Sequence, residues 1–409
     1  MQSERLIEKL NNKLAFVRKA SLKELKKRER ADHSLVPNQN LHEVNMNIHT
    51  SYSFSPYSPT LAGYMAYKSG IKIACACDYG TLSGNDEFEY ACEYLNINTV
   101  NGFEVTLVNA KGEEGIYGFY GINKNASSEF LPMLENFRSV CFKRVSNVCE
   151  KINKKLVKFD ILVDFEKDVC KNANTKKGAT LTLKHLYKAT SEKIIEKFTK
   201  GRALADFLRN TLCLDIEEGA YNLLCDPNNP FYVYDLISAL RNNFSAVEGG
   251  LTPPALSDYL AVALKNSVIV SYEYHAPNNW LKNQTESQKT TEDFENVLKG
   301  LKNEGVNAIS ISANNLSEKL LEEFVKLAEK NEMIVVFNER VEYPRDHFES
   351  LAPVAIKPYL EKCAYALLGN YLSALNNLED GFYTNKTITK VADFKQRLLI
   401  YAQIGKKQL

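Results

Sequence analysis

The side chains best placed for chemistry begin in NMNIHTSYSFSPYSP, residues 45–59. Read as a strand running into a Ser/Pro turn, this stretch puts Asn45, Asn47 and His49 on one face and Met46 and Ile48 on the other. Two acids follow at comparable places: Asp78 closes the strand-like run IKIACACDYG, and Glu104 stands in NTVNGFEVTLV. One imidazole and two carboxylates form a donor set that a divalent cation accepts. Each also has a plainer role, as a strand-end histidine or as a carboxylate capping the next helix. Nucleophile chemistry has less support. Cys77 has no histidine beside it to activate it, and the chain lacks a G-x-S-x-G elbow, a P-loop and a G-x-G-x-x-G turn.

The elements that must carry these residues alternate. HEVNMNIH reads as a strand, SPTLAGYMAYKSG as a short helix, IKIACACDYG as a strand, GNDEFEYACEYLN as a helix and NTVNGFEVTLV as a strand. That alternation predicts an α/β fold with a parallel sheet or barrel, in which sites lie at the carboxyl ends of strands. Before it, residues 2–30 read as one helix outside the sheet. After it, residues 127 to about 249 read as a lysine-rich helical insertion containing the turn CDPNNPFYVYDL. The β/α pattern resumes near 250 and runs to about 370, and 371–409 reads as a C-terminal extension. The polar run 281–293 is a candidate loop over the site, and Trp280 a candidate cleft or core residue.

Bulk properties restrict the partners. A net charge of +1 over 409 residues gives no electrostatic reason to expect nucleic acid or an anionic membrane. No window offers the roughly 18 apolar residues of a membrane span, and MQSERLIEKLNNKL lacks the apolar core of a signal peptide. Nine cysteines, an odd number, are expected to be reduced thiols in the cytoplasm. Cys75 and Cys77 read as neighbours on one face of a buried strand.

Taken in order, these motifs resemble the PHP-domain (polymerase and histidinol phosphatase type) metal-dependent phosphoesterases. The family's H-x-H-[TS] corresponds to Asn47-Ile48-His49-Thr50, its Asp-His to Asp78-Tyr79 and its Gly-x-Glu to Gly102-Phe103-Glu104. TSYSFSPYSP and DPNNPFYVYDL look like a subgroup with a helical insertion. That subgroup's late Gly-Glu-Asp and Pro-Arg elements are echoed by Asn338-Glu339-Arg340 and Pro344-Arg345. The resemblance spans roughly 41–370. It implies a distorted (β/α)7 barrel holding up to three metal ions that activate a hydroxide and polarise a phosphoester.

The departures alter the chemistry. Asn47 stands for a histidine, Tyr79 for another and Arg340 for an aspartate, and EGIYGFYGINKN, where the family's mid-chain histidines are expected after Glu104, has none. Amides bind transition metals more weakly than imidazoles, tyrosine ligates when ionised, and arginine carries a fixed charge that repels a dication. The resemblance leaves His49, Asp78 and Glu104 as metal ligands for one zinc, manganese or iron ion. It leaves Asn47, Tyr79, His185, Tyr274, His275, Glu339, Arg340 and Arg345 as cleft-lining residues. Two readings stay open: a degenerate protein retaining a cleft for a small anionic or phosphorylated ligand, and an active phosphoesterase with a reduced metal site. Substrate and oligomeric state are not legible.

Overall fold

The computed structural model describes residues 2–31, 43–244, 252–275, 287–312, 316–337 and 339–407. Its strands are β1 (Val44–Ile48), β2 (Ile73–Ala76), β3 (Asn98–Thr99), β4 (Gly102–Val108), β5 (Glu114–Tyr120), β6 (Ile269–Glu273), β7 (Ala308–Ile311) and β8 (Ile334–Phe337). One sheet has the order β1-β2-β3, all parallel; the other has the order β4-β5-β6-β7-β8. Two parallel bridges join the sheets, Tyr79 with Glu104 and Ile48 with Val341. The fold is therefore mixed α/β, as the alternation predicts. The second sheet departs from the expected parallel pattern: β5 runs antiparallel to both β4 and β6. The β4–β5 connection is short enough for a hairpin, with Asn109 accepting from Gly112 N and donating to Glu113 O. A parallel neighbour would need a crossover of a dozen residues or more.

The helices flank these strands. The first, α1 (Gln2–Lys9) and α2 (Ala15–Ala31), replace the single helix expected over 2–30. The interruption has a cause: Asn11 Nδ2 donates to Pro56 O and its Oδ1 accepts from Ser58 N, while Ser58 Oγ donates to Leu10 O. The broken turn thus docks on the SFSPYSP segment. Next come α3 (Pro59–Lys68) and α4 (Asn85–Tyr94). Ser58 caps α3, accepting from Leu61 N at 3.1 Å, with Pro59 at the first helical position.

A helical stretch follows: α5 (Lys124–Leu156), α6 (Leu183–Phe198), α7 (Arg202–Asp206), α8 (Glu218–Cys225) and α9 (Tyr232–Phe244). The β/α pattern then returns with α10 (Leu256–Lys265), α11 (Ser287–Glu304), α12 (Glu318–Lys330) and α13 (Lys357–Asn376), and ends with α14 (Asn385–Lys390) and α15 (Phe394–Lys406). The divisions read from the sequence at 126/127 and 370/371 fall inside α5 and α13. From Ser287 onward the expected polar loop is helix; its first part, the boundary near 250, Trp280 and Asn338 lie outside the described residues. Among the described residues, no helix is long and apolar enough to cross a membrane.

Strand alternation explains how the core divides. On β2, Ile73 and Cys75, with Cys77 beyond, face a large cluster shared with β4 to β8. Ala74 and Ala76 face a smaller cluster under α1 to α4. A further cluster lies among the helices from α5 to α9. Helix α5 belongs to two of these: Ala126, Phe130, Leu134 and Phe137 pack on the sheet core, and Val145, Val148, Ile152 and Leu156 on the helical one. At the C-terminus, α15 crosses α13 so closely that a Cβ on Gly369 would lie 1.9 Å from Tyr401 O, and one on Gly405 2.2 Å from Tyr365 O.

Candidate functional site

Strand β1 and the segment after β8 bring the site together. His49 N donates to Val341 O and Val341 N to Asn47 O, both at 3.0 Å. With Val341 buried on the far side, Arg340 and Glu342 project together, since side chains two apart share a face. The bridge between Tyr79 and Glu104 aligns β4 with the end of β2, and Glu104 N donates to Asp78 O at 3.2 Å. Gly102 permits that approach: a Cβ there would lie 2.6 Å from Phe119 O and 2.8 Å from Cys75 Sγ.

The centre is an arginine held by three glutamates. Arg340 donates to both oxygens of Glu104 at 2.7 Å, to Glu273 at 2.5 Å and to Glu342 at 3.2 Å. Glu342 also takes the ammonium of Lys184. Burial alone pushes the Glu104 and Glu342 carboxyls up. The charge of Arg340 at Glu104, and those of Lys184 and Arg340 at Glu342, overcome it and hold both below the usual range. Burial likewise pulls the Arg340 guanidinium down, and the surrounding carboxylates outweigh it and raise it.

Beneath this cluster lies fully buried His49. Its Nδ1 bonds Ser53 Oγ at 2.9 Å, and Ser53 Oγ donates to Asp78 Oδ1 at 2.7 Å. Because the serine proton goes to the carboxylate, Nδ1 carries the proton of the first bond. The other nitrogen, Nε2, stands 3.5 Å from Glu104 Oε1 without a hydrogen bond. Asn47 Nδ2 reaches Glu104 Oε2 at 3.4 Å, and its Oδ1 is also buried without a partner. Asp78 does not meet Arg340. It accepts from Thr50 N, Thr50 Oγ1 and Ser53 Oγ, so it fastens the turn after β1; burial nevertheless raises its carboxyl.

A cavity of about 660 Å³ opens above, lined by Glu104, Tyr79, Tyr274, His275 and Arg340 among the residues singled out from the sequence. Tyr79 bonds Thr106 Oγ1 at 2.8 Å, and burial pushes its phenol well up, so it is a neutral polar group there. Tyr274 stacks edge-on against Phe294 and Phe324. His275 is exposed and stands 3.5 Å from Glu273.

Of the other expected cleft residues, Asn47 lies beneath the cavity against Glu104 and three lie elsewhere. His185 caps its own helix: its Nδ1 accepts from Thr182 N at 3.1 Å, and burial drives the imidazole down to about 3. Arg345 forks onto Asp235 at 2.5 and 2.9 Å, so the Pro-Arg element and the FYVYDL turn hold each other. Glu339 is buried beside Asn45, its carbonyl accepting from Asn45 Nδ2 at 3.0 Å. The sequence reading missed Glu273, Glu342, Lys184, Arg144 and Arg241, which also line the cavity. The strand period signals two of them: Glu273 lies two residues before His275, and Glu342 two after Arg340.

The resident side chains do not suit the divalent metal that the resemblance implies. Both Glu104 oxygens are occupied by a guanidinium, Asp78 already accepts three hydrogen bonds from the turn, and the charge of Arg340 beside Glu104 repels a dication. Among the described residues, no group of three or more His, Cys, Asp or Glu side chains is arranged to hold a metal ion.

No family model matches the chain, and no curated protein sequence matches it. Solved structures do. A candidate metal-dependent phosphoesterase from Bifidobacterium adolescentis is 13% identical, covers 78% of this chain and 96% of its own, and has a TM-score of 0.50. An amidohydrolase from Chromobacterium violaceum, solved with sulfate and no metal, is also 13% identical with the same coverage and a TM-score of 0.51. The resemblance read from the motifs thus has its counterpart in three dimensions: the chain shares its fold with metal-dependent phosphoesterase and amidohydrolase structures.

Proposed function

We propose that this chain is a phosphoesterase-fold protein in which Arg340 has taken over the charge of a metal ion, leaving a cleft that binds a small anionic ligand without hydrolysing it. The observation that carries this reading is the contact of one guanidinium with Glu104, Glu273 and Glu342. A fixed cation satisfies the carboxylates that would otherwise recruit metal, and it offers no exchangeable position for a nucleophilic water. The two bridges between the sheets support closure into a distorted β/α barrel with the cleft at its mouth. Sulfate bound to the metal-free amidohydrolase is consistent with anion binding in such a fold. Nine free thiols support a reducing compartment.

One observation favours a second reading. His49 Nε2 and Asn47 Oδ1 are buried, unpartnered and adjacent to Glu104, as donors awaiting a cation would be. Elemental analysis of protein purified without chelator, with phosphatase assays in added manganese, zinc or iron, separates the two. Substoichiometric metal and no metal-dependent turnover are expected. Stoichiometric metal that is lost on His49→Ala would overturn the Arg340 reading.

A further inference from the structure

Away from the cavity, helix α2 has two unlike sides. Arg18, Leu22, Leu25 and Glu29 are buried, the leucines in the cluster under α1 to α4, Arg18 paired with Glu87 and Glu29 accepting from Tyr64. With about 3.6 residues per turn, Phe16, Ala20, Lys23 and Lys27 form a stripe on the opposite side, and all four are exposed. Phe16 is 70% exposed, and Leu14, two residues before it, is 54% exposed. The turn between α1 and α2 adds Lys13, whose carbonyl accepts from Lys177 Nζ at 3.4 Å. That contact brings the turn Thr175–Lys177, with exposed Lys176, beside the apolar end of the stripe. Among the described residues Lys13, Lys23, Lys27 and Lys176 make no ion pair, and Glu24 on the flank of the stripe is taken by Arg28 at 3.0 Å. A net charge of +1 for the whole chain thus conceals a local excess of positive charge around two large apolar side chains.

We propose that the outer face of α2 docks on an anionic membrane surface, with Phe16 and Leu14 entering the headgroup region and Lys13, Lys23, Lys27 and Lys176 held by acidic lipids. The face is complementary in charge to such a surface, and each lysine near it adds to the attraction. Phe16 and Lys27 lie about 16 Å apart along the helix axis, so the stripe can lie flat in the interface while the opposite side of α2 keeps its place in the core. Lysine stems are long enough to cover apolar surface while their ammonium groups reach the lipid phosphates. The apolar pair argues for lipid over nucleic acid: a ring can stack on a base, but aliphatic Leu14 gains mainly by leaving water for acyl chains. The association is peripheral and does not depend on what the cavity binds.

Flotation of the full chain with vesicles tests the assignment, using phosphatidylcholine alone and phosphatidylcholine mixed with phosphatidylserine. The proteins are wild type, the double variant Lys23→Gln with Lys27→Gln, and Phe16→Ser. All three positions are exposed, so each variant is expected to melt with wild type. Wild type should float with the phosphatidylserine vesicles, stay behind with phosphatidylcholine alone, and be released by added salt. The double variant should bind about 25-fold more weakly, roughly fivefold for each lysine. Phe16→Ser should bind roughly tenfold more weakly, through the apolar area it no longer buries. No flotation of wild type with phosphatidylserine overturns the proposal, as does flotation of both variants equal to that of wild type. Equal flotation of wild type with the two vesicle types overturns the role of the lysines. Binding to an oligouridylate without flotation assigns the face to nucleic acid and likewise overturns the membrane reading.

Discussion

Replacing Arg340 by alanine removes the cation around which Glu104, Glu273 and Glu342 are gathered. Glu104 is 2% exposed at its side chain and Glu342 8%, so water cannot screen the charges left behind. Breaking a buried pair by deleting one partner costs about 3–5 kcal/mol, because the other charge stays buried. An unfolding entropy of about 2.1 cal/mol/K per residue over 409 residues amounts to about 0.9 kcal/mol/K. The expected drop in melting temperature at pH 7 is therefore about 3–6 °C.

The pH dependence sharpens the test. In the wild type, Glu104 and Glu342 have folded-state values below their unfolded ones. Their contribution is thus fully present above the unfolded carboxylate value and is lost as pH falls through the folded values. In the variant burial acts with less opposition, so the same carboxyls are expected to rise and the fold to gain stability as they protonate. The gap between the two proteins should close between pH 7 and about pH 4. Manganese should raise the melting temperature of Arg340→Ala and leave wild type unchanged, since a ligand stabilises only the state that binds it. Scanning fluorimetry across pH, with and without manganese, measures all of this. A variant melting within a degree of wild type at pH 7, or a gap that widens on acidification, would refute the idea that Arg340 neutralises the cluster.

Other expectations concern the frame around the site. Asp78→Ala leaves Thr50 N, Thr50 Oγ1 and Ser53 Oγ without their acceptor, a cost of about 1–3 kcal/mol for each buried group left unsatisfied; Asp78→Asn, which keeps one acceptor oxygen, should melt between that variant and wild type. Gly369→Ala or Gly405→Ala drives a methyl into the facing helix backbone, and overpacking costs about 1–3 kcal/mol and occasionally more, read as lost thermal stability. Arg345→Ala breaks a pair whose arginine is partly exposed, and its cost should be small, about 1 kcal/mol, read as a slightly lower melting temperature.

Much of the site's skeleton was legible because it follows strand alternation. Asn47, His49 and Glu104 converge as their positions in the strands require, and Arg340 meets Glu104. The identity of Arg340's other partners was not legible. Its reach to Glu273 depends on how β6 lies beside β5, and β5 itself escaped notice because Gly115 and Gly118 interrupt the apolar run of EGIYGFY. The partners of Arg345 and His185 were hidden for a different reason. Each side chain had a local or long-range hydrogen bond that satisfied it away from the cavity, and a residue type alone does not say which partner wins.

Helix α5 has a mechanical consequence. Its 33 residues form a rod roughly 50 Å long, seated at one end in the sheet core and at the other in the helical one, with Cys141, Arg144 and Val145 at the crossing. The weakest rung of its hydrogen-bond ladder, at Pro132, lies between Phe130 and Leu134 on the sheet side, away from that crossing. The two cores therefore cannot swing about the cavity along this connection without unwinding a continuous helix. The wall bearing Arg144 is thus a fixed jaw, held in place by the continuity of the helix.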